Sequence, residues 1–165
     1  MEADEDKSFQ GVAENLGEVL SMTVTATVKL REIAEESGSD PVGAVLRAVG
    51  DVSGYHPAHK FLLVGPYVRP SMTKGGIYKV DSVVDEDRYQ NKVGLVLVMG
   101  PGCFVDDEFH KYWGFSVKVG DWVRYRGSDT DEVFFVDENG RDGAPCRDVQ
   151  DMLIKARVDD PSRLY

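Results

Sequence analysis

The sequence predicts a mainly β protein, a small barrel or sandwich with an added helical segment on its N-terminal side. Three observations predict it. After "SGYHPAH" the pattern changes from helical spacing to short β-rich runs separated by turn residues, as small barrels and sandwiches require. The charge changes at the same place: residues 1–57 carry eleven acids and four bases, and residues 58–165 carry eighteen and fifteen. Finally, 165 residues of 42% apolar composition suffice for one ordinary core with some surplus for an appendage. The expected organisation is an acidic helical extension over residues 1–57 and a β unit over residues 58–165.

The elements follow in order. Phe9, Val12, Leu16, Val19 and Leu20 recur at helical spacing with Ser8 as the cap, although Gly11 and Gly17 weaken that helix. Ala26, Leu30, Ile33 and Ala34 form a second helical face ending at Gly38; Val24, Ala26, Val28 and Leu30 also fit an alternating strand, and helix is preferred. A third helix opens with Asp40 as cap and Pro41 in the first turn, and aligns Val42, Val45, Leu46 and Val49 on one stripe before Gly50. Such apolar stripes need a surface to cover, either the rest of the chain or a neighbouring subunit.

The β-rich part begins at residues 61–69, where Gly65 and Pro66 indicate an edge strand or a bulge. "KVGLVLVM", residues 92–99, is apolar enough to be buried on both sides. Residues 122–126 form a strand after the tight "VKVGD" approach, with Trp122 or Val123 facing the core. "EVFFVDENGRDGAPCRDV" predicts a strand, an Asn139-Gly140 turn and a return strand, and "MLIKARV" a closing strand.

Chemistry is sparse. A net charge of -10 repels phosphate backbones and anionic membrane surfaces, so neither nucleic acid nor membrane is an expected partner. Cys103 and Cys146 form no CxxC pair, and no leader or membrane-length apolar run is present, which predicts a reduced, cytosolic protein. His56, His59 and His110 lack metal-ligand spacing, and no GxSxG or phosphate-cradling loop occurs. The acidic runs Asp85-Glu86-Asp87 and Asp106-Asp107-Glu108 lack the spacing and glycine of an EF-hand and are expected as solvated loops. Cys103 with His110 is a weak nucleophile-base candidate. No enzyme activity, metal or cofactor is expected.

The order "FLLVGPYVRP", "TKGGIY", "KVGLVLVMGPG", "VKVGDWVRY", an acidic "DEV", and "CRDVQDMLIKARV" resembles the GroES-like co-chaperonins over residues 60–158. With "DEDRY" and the final "DPSRLY" added, the pattern is similar to GroES-like proteins encoded by tailed bacteriophages. The resemblance implies an irregular β-barrel that assembles into a homo-oligomeric ring. It also implies a mobile loop that docks into an apolar groove of a chaperonin, and a roof loop. By position, residues 71–80 match the mobile loop, with Gly75 and Gly76 as hinge glycines and Ile77, Tyr78 and Lys79 as the docking triplet. Residues 101–115 match the roof loop.

Two departures shape the expected function. Lys79 stands where the family has an apolar residue, and its ammonium stays solvated or snorkels at the groove edge. The alternative for "KGGIYKV" is a fixed turn and strand. The roof segment carries Phe104, Phe109, Tyr112, Trp113 and Phe115, more rings than a loop core needs, and a surplus of exposed aromatics marks protein contact surfaces. Partner-binding residues are therefore expected at Gly75, Gly76, Ile77, Tyr78 and Lys79, and at Phe104, Phe109, Tyr112 and Trp113. The preferred reading is a virion protein, capsid-associated, that uses the barrel to bind other capsid proteins. The alternative is a phage co-chaperonin acting in the host cytoplasm on the host chaperonin.

Overall fold

The structure is a computed structural model, and it describes residues 29–30, 32–70, 93–136 and 139–164. The first expected helix, over Phe9 to Leu20, lies outside the described residues. Residues 29–30 and 32–36 are helical (α1) and bury Leu30, Ile33 and Ala34. The Ser37 hydroxyl closes this helix by donating to the Ile33 carbonyl at 2.5 Å.

Helix α2 spans Pro41–Val49. Its start follows the capping rule: an Asp40 carboxylate oxygen accepts the Gly43 N–H at 2.9 Å, and Pro41 occupies the first turn. Gly50, at φ 84°, ends it and donates its N–H to Leu46 O. The buried stripe is Ala44, Val45, Ala48 and Val49, whereas Val42 and Leu46 are 36% and 50% exposed. The expected stripe is thus rotated, because two alanines bring the helix close to the sheet where larger side chains would hold it away.

The strands are β1 (Phe61–Pro66), β2 (Val93–Met99), β3 (Trp122–Arg124), β4 (Asp131–Val133), β5 (Cys146–Gln150) and β6 (Ala156–Val158). All pair antiparallel in one sheet of order β4-β5-β1-β2-β3-β6. The expected closed barrel is corrected: among the described residues the sheet is open, with β4 and β6 at its two edges. In a barrel one face of each strand looks outward. Here the central strands β1 and β2 are buried on both faces. Leu63, Leu95, Leu97 and Trp122 join α1 and α2 in one core, and Leu62, Val64, Val96 and Val123 join Val117, Tyr125 and Val149 in a second. Trp122 and Val123 are therefore both core residues, on opposite faces.

Of the two alternatives at Gly65 and Pro66, an edge or a bulge, the edge does not hold, since β1 lies inside the sheet between β5 and β2. The bulge is present, as a register shift between Leu63 and Val64 against β2. Gly65 is required for packing: a Cβ there would lie 2.6 Å from Val45 Cγ1 of α2. The turn at Asn139-Gly140 is flanked by a bridge between Val136 and Asp142, and Gly140 adopts φ 72°. "MLIKARV" divides into a 3-10 turn, Asp151–Leu153, and β6. The second core is roofed by Cys103, Phe104, Phe115, Leu153 and Ile154, so the segment after β2 belongs to the fold as well as to the surface.

Candidate protein-docking loop

The loop leaves β2 through "GPG". A Cβ on Gly100 would lie 2.6 Å from His59 O and 2.9 Å from Phe61 O, so only glycine passes. Gly100 N–H donates to Phe61 O and Gly102 N–H to His59 O, each at 2.8 Å, which anchors the loop to the chain entering β1.

Beyond this anchor, carboxylates take the place of secondary structure. Asp151, 2% exposed, accepts the Phe104 N–H at 2.8 Å. Asp106 accepts the Tyr112 N–H at 2.7 Å, bridging the loop's two sides. Asp107 Oδ1 accepts the N–H groups of Phe109 at 2.8 Å and His110 at 2.7 Å, and contacts His110 Nδ1 at 3.2 Å. Its other oxygen lies 2.7 Å from Lys60 Nζ. The same ammonium donates to Val105 O at 3.1 Å and sits 5.1 Å from the Tyr112 ring centre. Lys60 beside it, together with those N–H groups, holds the Asp107 carboxyl far below the usual carboxylate range, and Asp107 in turn pushes the Lys60 ammonium up.

The rings then divide. Phe104 meets Tyr112 and Phe115 edge to face, with centroids 5.5 and 5.6 Å apart, and packs on the second core. Phe109 and Trp113 point away, 84% and 91% exposed. Trp113 has φ 54° and Gly114 φ 80°, in a turn closed by Phe115 N–H donating to Tyr112 O at 2.9 Å. Two positive φ values are the requirement of a type I′ turn, and a tryptophan at the first of them is strained. Phe104, at φ 56°, is strained in the same sense.

Of the expected site residues, the structure brings Phe104, Phe109, Tyr112 and Trp113 together on one loop, with Phe104 and Tyr112 as its inner rings and Phe109 and Trp113 as its outer ones. Gly75, Gly76, Ile77, Tyr78 and Lys79 lie outside the described residues. Sequence reasoning missed Lys60, Asp106, Asp107 and Asp151 as the groups that fix the loop. Asp106-Asp107-Glu108 was expected only as a solvated run, yet two of its three carboxylates accept backbone N–H groups; Asp followed two and three residues later by irregular chain was the available signal. The candidate pair Cys103 and His110 is not assembled: the thiol contacts Phe61 O at 3.2 Å, burial pushes its pKa up, and His110 faces Asp107.

A cleft of about 340 Å³ lies elsewhere, between the end of α2 and residues 135–136 and 141–143. Of the three cations that line it, Lys29, Arg47 and Arg141, Lys29 is paired with Glu32 and Arg47 with Glu36 and Asp40, which compensates those two charges.

Comparison with known proteins gives no match to a family model and no match to a curated protein.

Proposed function

We propose that this chain is a non-enzymatic, capsid-associated bacteriophage protein that uses a GroES-like β unit as an oligomerising module for binding other proteins of the particle. The observation that carries the reading is the pair of exposed rings, Phe109 and Trp113, on a loop whose backbone is fixed by three aspartates. Backbone strain at an exposed tryptophan persists only where surrounding contacts over-determine it, and such strain concentrates at functional sites. Exposed Trp and Phe also match the aromatic enrichment of protein contact surfaces. The GroES-like assignment rests on the order of motifs across residues 60–158, and the phage assignment on that order together with "DEDRY" and the final "DPSRLY".

The second reading, a co-chaperonin, is favoured by "KGGIY", the glycine pair followed by apolar residues. Fractionation separates the two. A capsid-associated protein remains with gradient-purified particles of the phage that encodes it, whereas a co-chaperonin is absent from particles and binds bacterial chaperonin in the presence of nucleotide. Chaperonin binding that Lys79→Leu strengthens and Ile77→Ser abolishes would replace the first reading by the second.

A further inference from the structure

We propose that residues 105–113 are a preformed plug whose two outer rings, Phe109 and Trp113, enter an apolar recess bordered by Lys and Arg side chains on a partner protein, with Lys60 as the positioning residue. This rests on the protein-docking reading above and names the partner's chemistry.

Exposed rings on a slack loop collapse onto their own protein or cost ordering entropy on binding. Here the loop is tied before any partner arrives. Its start is held by Asp151 at Phe104, its two sides are joined by Asp106 at Tyr112, and its tip is wound around Asp107. Lys60 reaches up from the chain before β1 and joins the tip to the body through Asp107, Val105 O and the Tyr112 ring. All of these contacts leave Phe109 and Trp113 outside, so the fixed geometry serves something beyond the chain.

Charge narrows the partner. Lys60 compensates Asp107, while Asp106 and Glu108 stay exposed beside Phe109, against one exposed cation, Lys111. The whole chain carries -10. Exposed Trp and Phe also suit a lipid surface, but an anionic headgroup layer repels this charge, whereas a cation-rimmed recess on a protein complements it.

Two tryptophans make the test direct, because Trp122 is 6% exposed and quenchable emission therefore reports on Trp113. In the full-length protein, caesium is expected to quench Trp113 more strongly than iodide when each is scaled to its quenching of free N-acetyltryptophanamide, and Trp113→Phe to remove that quenching. The fluorescence anisotropy of Trp113 is expected to show no fast local motion. Lys60→Met should introduce that motion at an unchanged melting temperature and Lys60→Arg should suppress it; Asp107→Asn serves as the second variant if Lys60→Met does not fold. On binding to the particles or the chaperonin identified as above, Trp113 emission should shift to the blue, and Phe109→Ala with Trp113→Ala should weaken binding by at least about tenfold.

Stronger quenching by iodide on that scale, free motion of Trp113 in the parent, or a blue shift with phosphatidylglycerol vesicles would overturn the plug. So would partner binding that survives loss of both rings, and that result would leave the docking function standing. Absence of binding to particles and to chaperonin would remove the docking function and the plug with it.

Discussion

Trp113 and Trp122 lie in one stretch of the sequence and have opposite duties. Trp122 is buried against Tyr67, edge to face at 5.4 Å, and Trp122→Ala is expected to cost about 3–5 kcal/mol in a denaturant melt. Trp113 is exposed at φ 54°, where asparagine is tolerated better than an aromatic. Trp113→Asn is therefore expected to raise stability by up to about 1 kcal/mol while removing partner binding. A loss of stability in Trp113→Asn would show that the ring packs on its own protein. The abundance of rings in residues 101–115 was legible in the sequence. Which of them turn outward was not, because that depends on positive φ at Phe104 and Trp113, set by hydrogen bonds to Asp151 and Asp106 far away or across the loop.

At the scale of elements, the contact of α2 with β1 shows what a glycine inside a strand makes room for. Gly65 in a strand indicated an edge or a bulge; a bulge lies beside it, and its lack of a side chain admits Val45 to the middle of the sheet. Gly65→Ala is expected to destabilise by about 1–3 kcal/mol through overpacking. Val45→Ala should make the second substitution cheaper, so a double-mutant cycle should show coupling above about 0.5 kcal/mol. Additive effects would mean that helix and strand do not meet there. The cap at Asp40 and the helix end at Gly50 were legible because capping is local; the rotation of the buried stripe was not, since it answers to the sheet.

A second contact between elements predicts pH dependence. The Tyr55 hydroxyl donates to Asp148 on β5, and its ring packs edge to face on Phe135 at 5.5 Å. Burial, with the Asp148 bond second, pushes the phenol up to about 12. A folded value raised above the ordinary one of about 10 means that this stabilisation is complete below pH about 10 and is lost as pH rises through about 12. Tyr55→Phe should cost about 1 kcal/mol at neutral pH and should flatten the alkaline limb of the stability curve. An unchanged alkaline limb would show that another group governs it.

Over the whole molecule, the helices and the sheet share a core that joins Leu30, Ile33, Val45 and Val49 to Leu63, Leu95, Leu97 and Trp122. A chain beginning at Asp51 would expose that face of the sheet, and it is expected to lack a cooperative thermal transition. A sharp transition in that fragment would show that the β part stands alone. The β character and the succession of runs along the chain were legible because each run carries its own period and turn residues. Closure was not, since short β-rich runs between turns fit a barrel or an open sheet covered on two sides, and only the position of α1 and α2 decides. The same two-sided covering leaves the loop after β2 with an inner surface, on the second core, and an outer one that carries Phe109 and Trp113. That the outer surface binds another protein is tested most directly by photo-crosslinking in gradient-purified particles, with a benzophenone-bearing residue in place of Phe109 and a control in place of exposed Val136. A crosslink from position 109 to a different protein of the particle, absent from position 136, is expected; no crosslink from 109, or an equal one from 136, would contradict it.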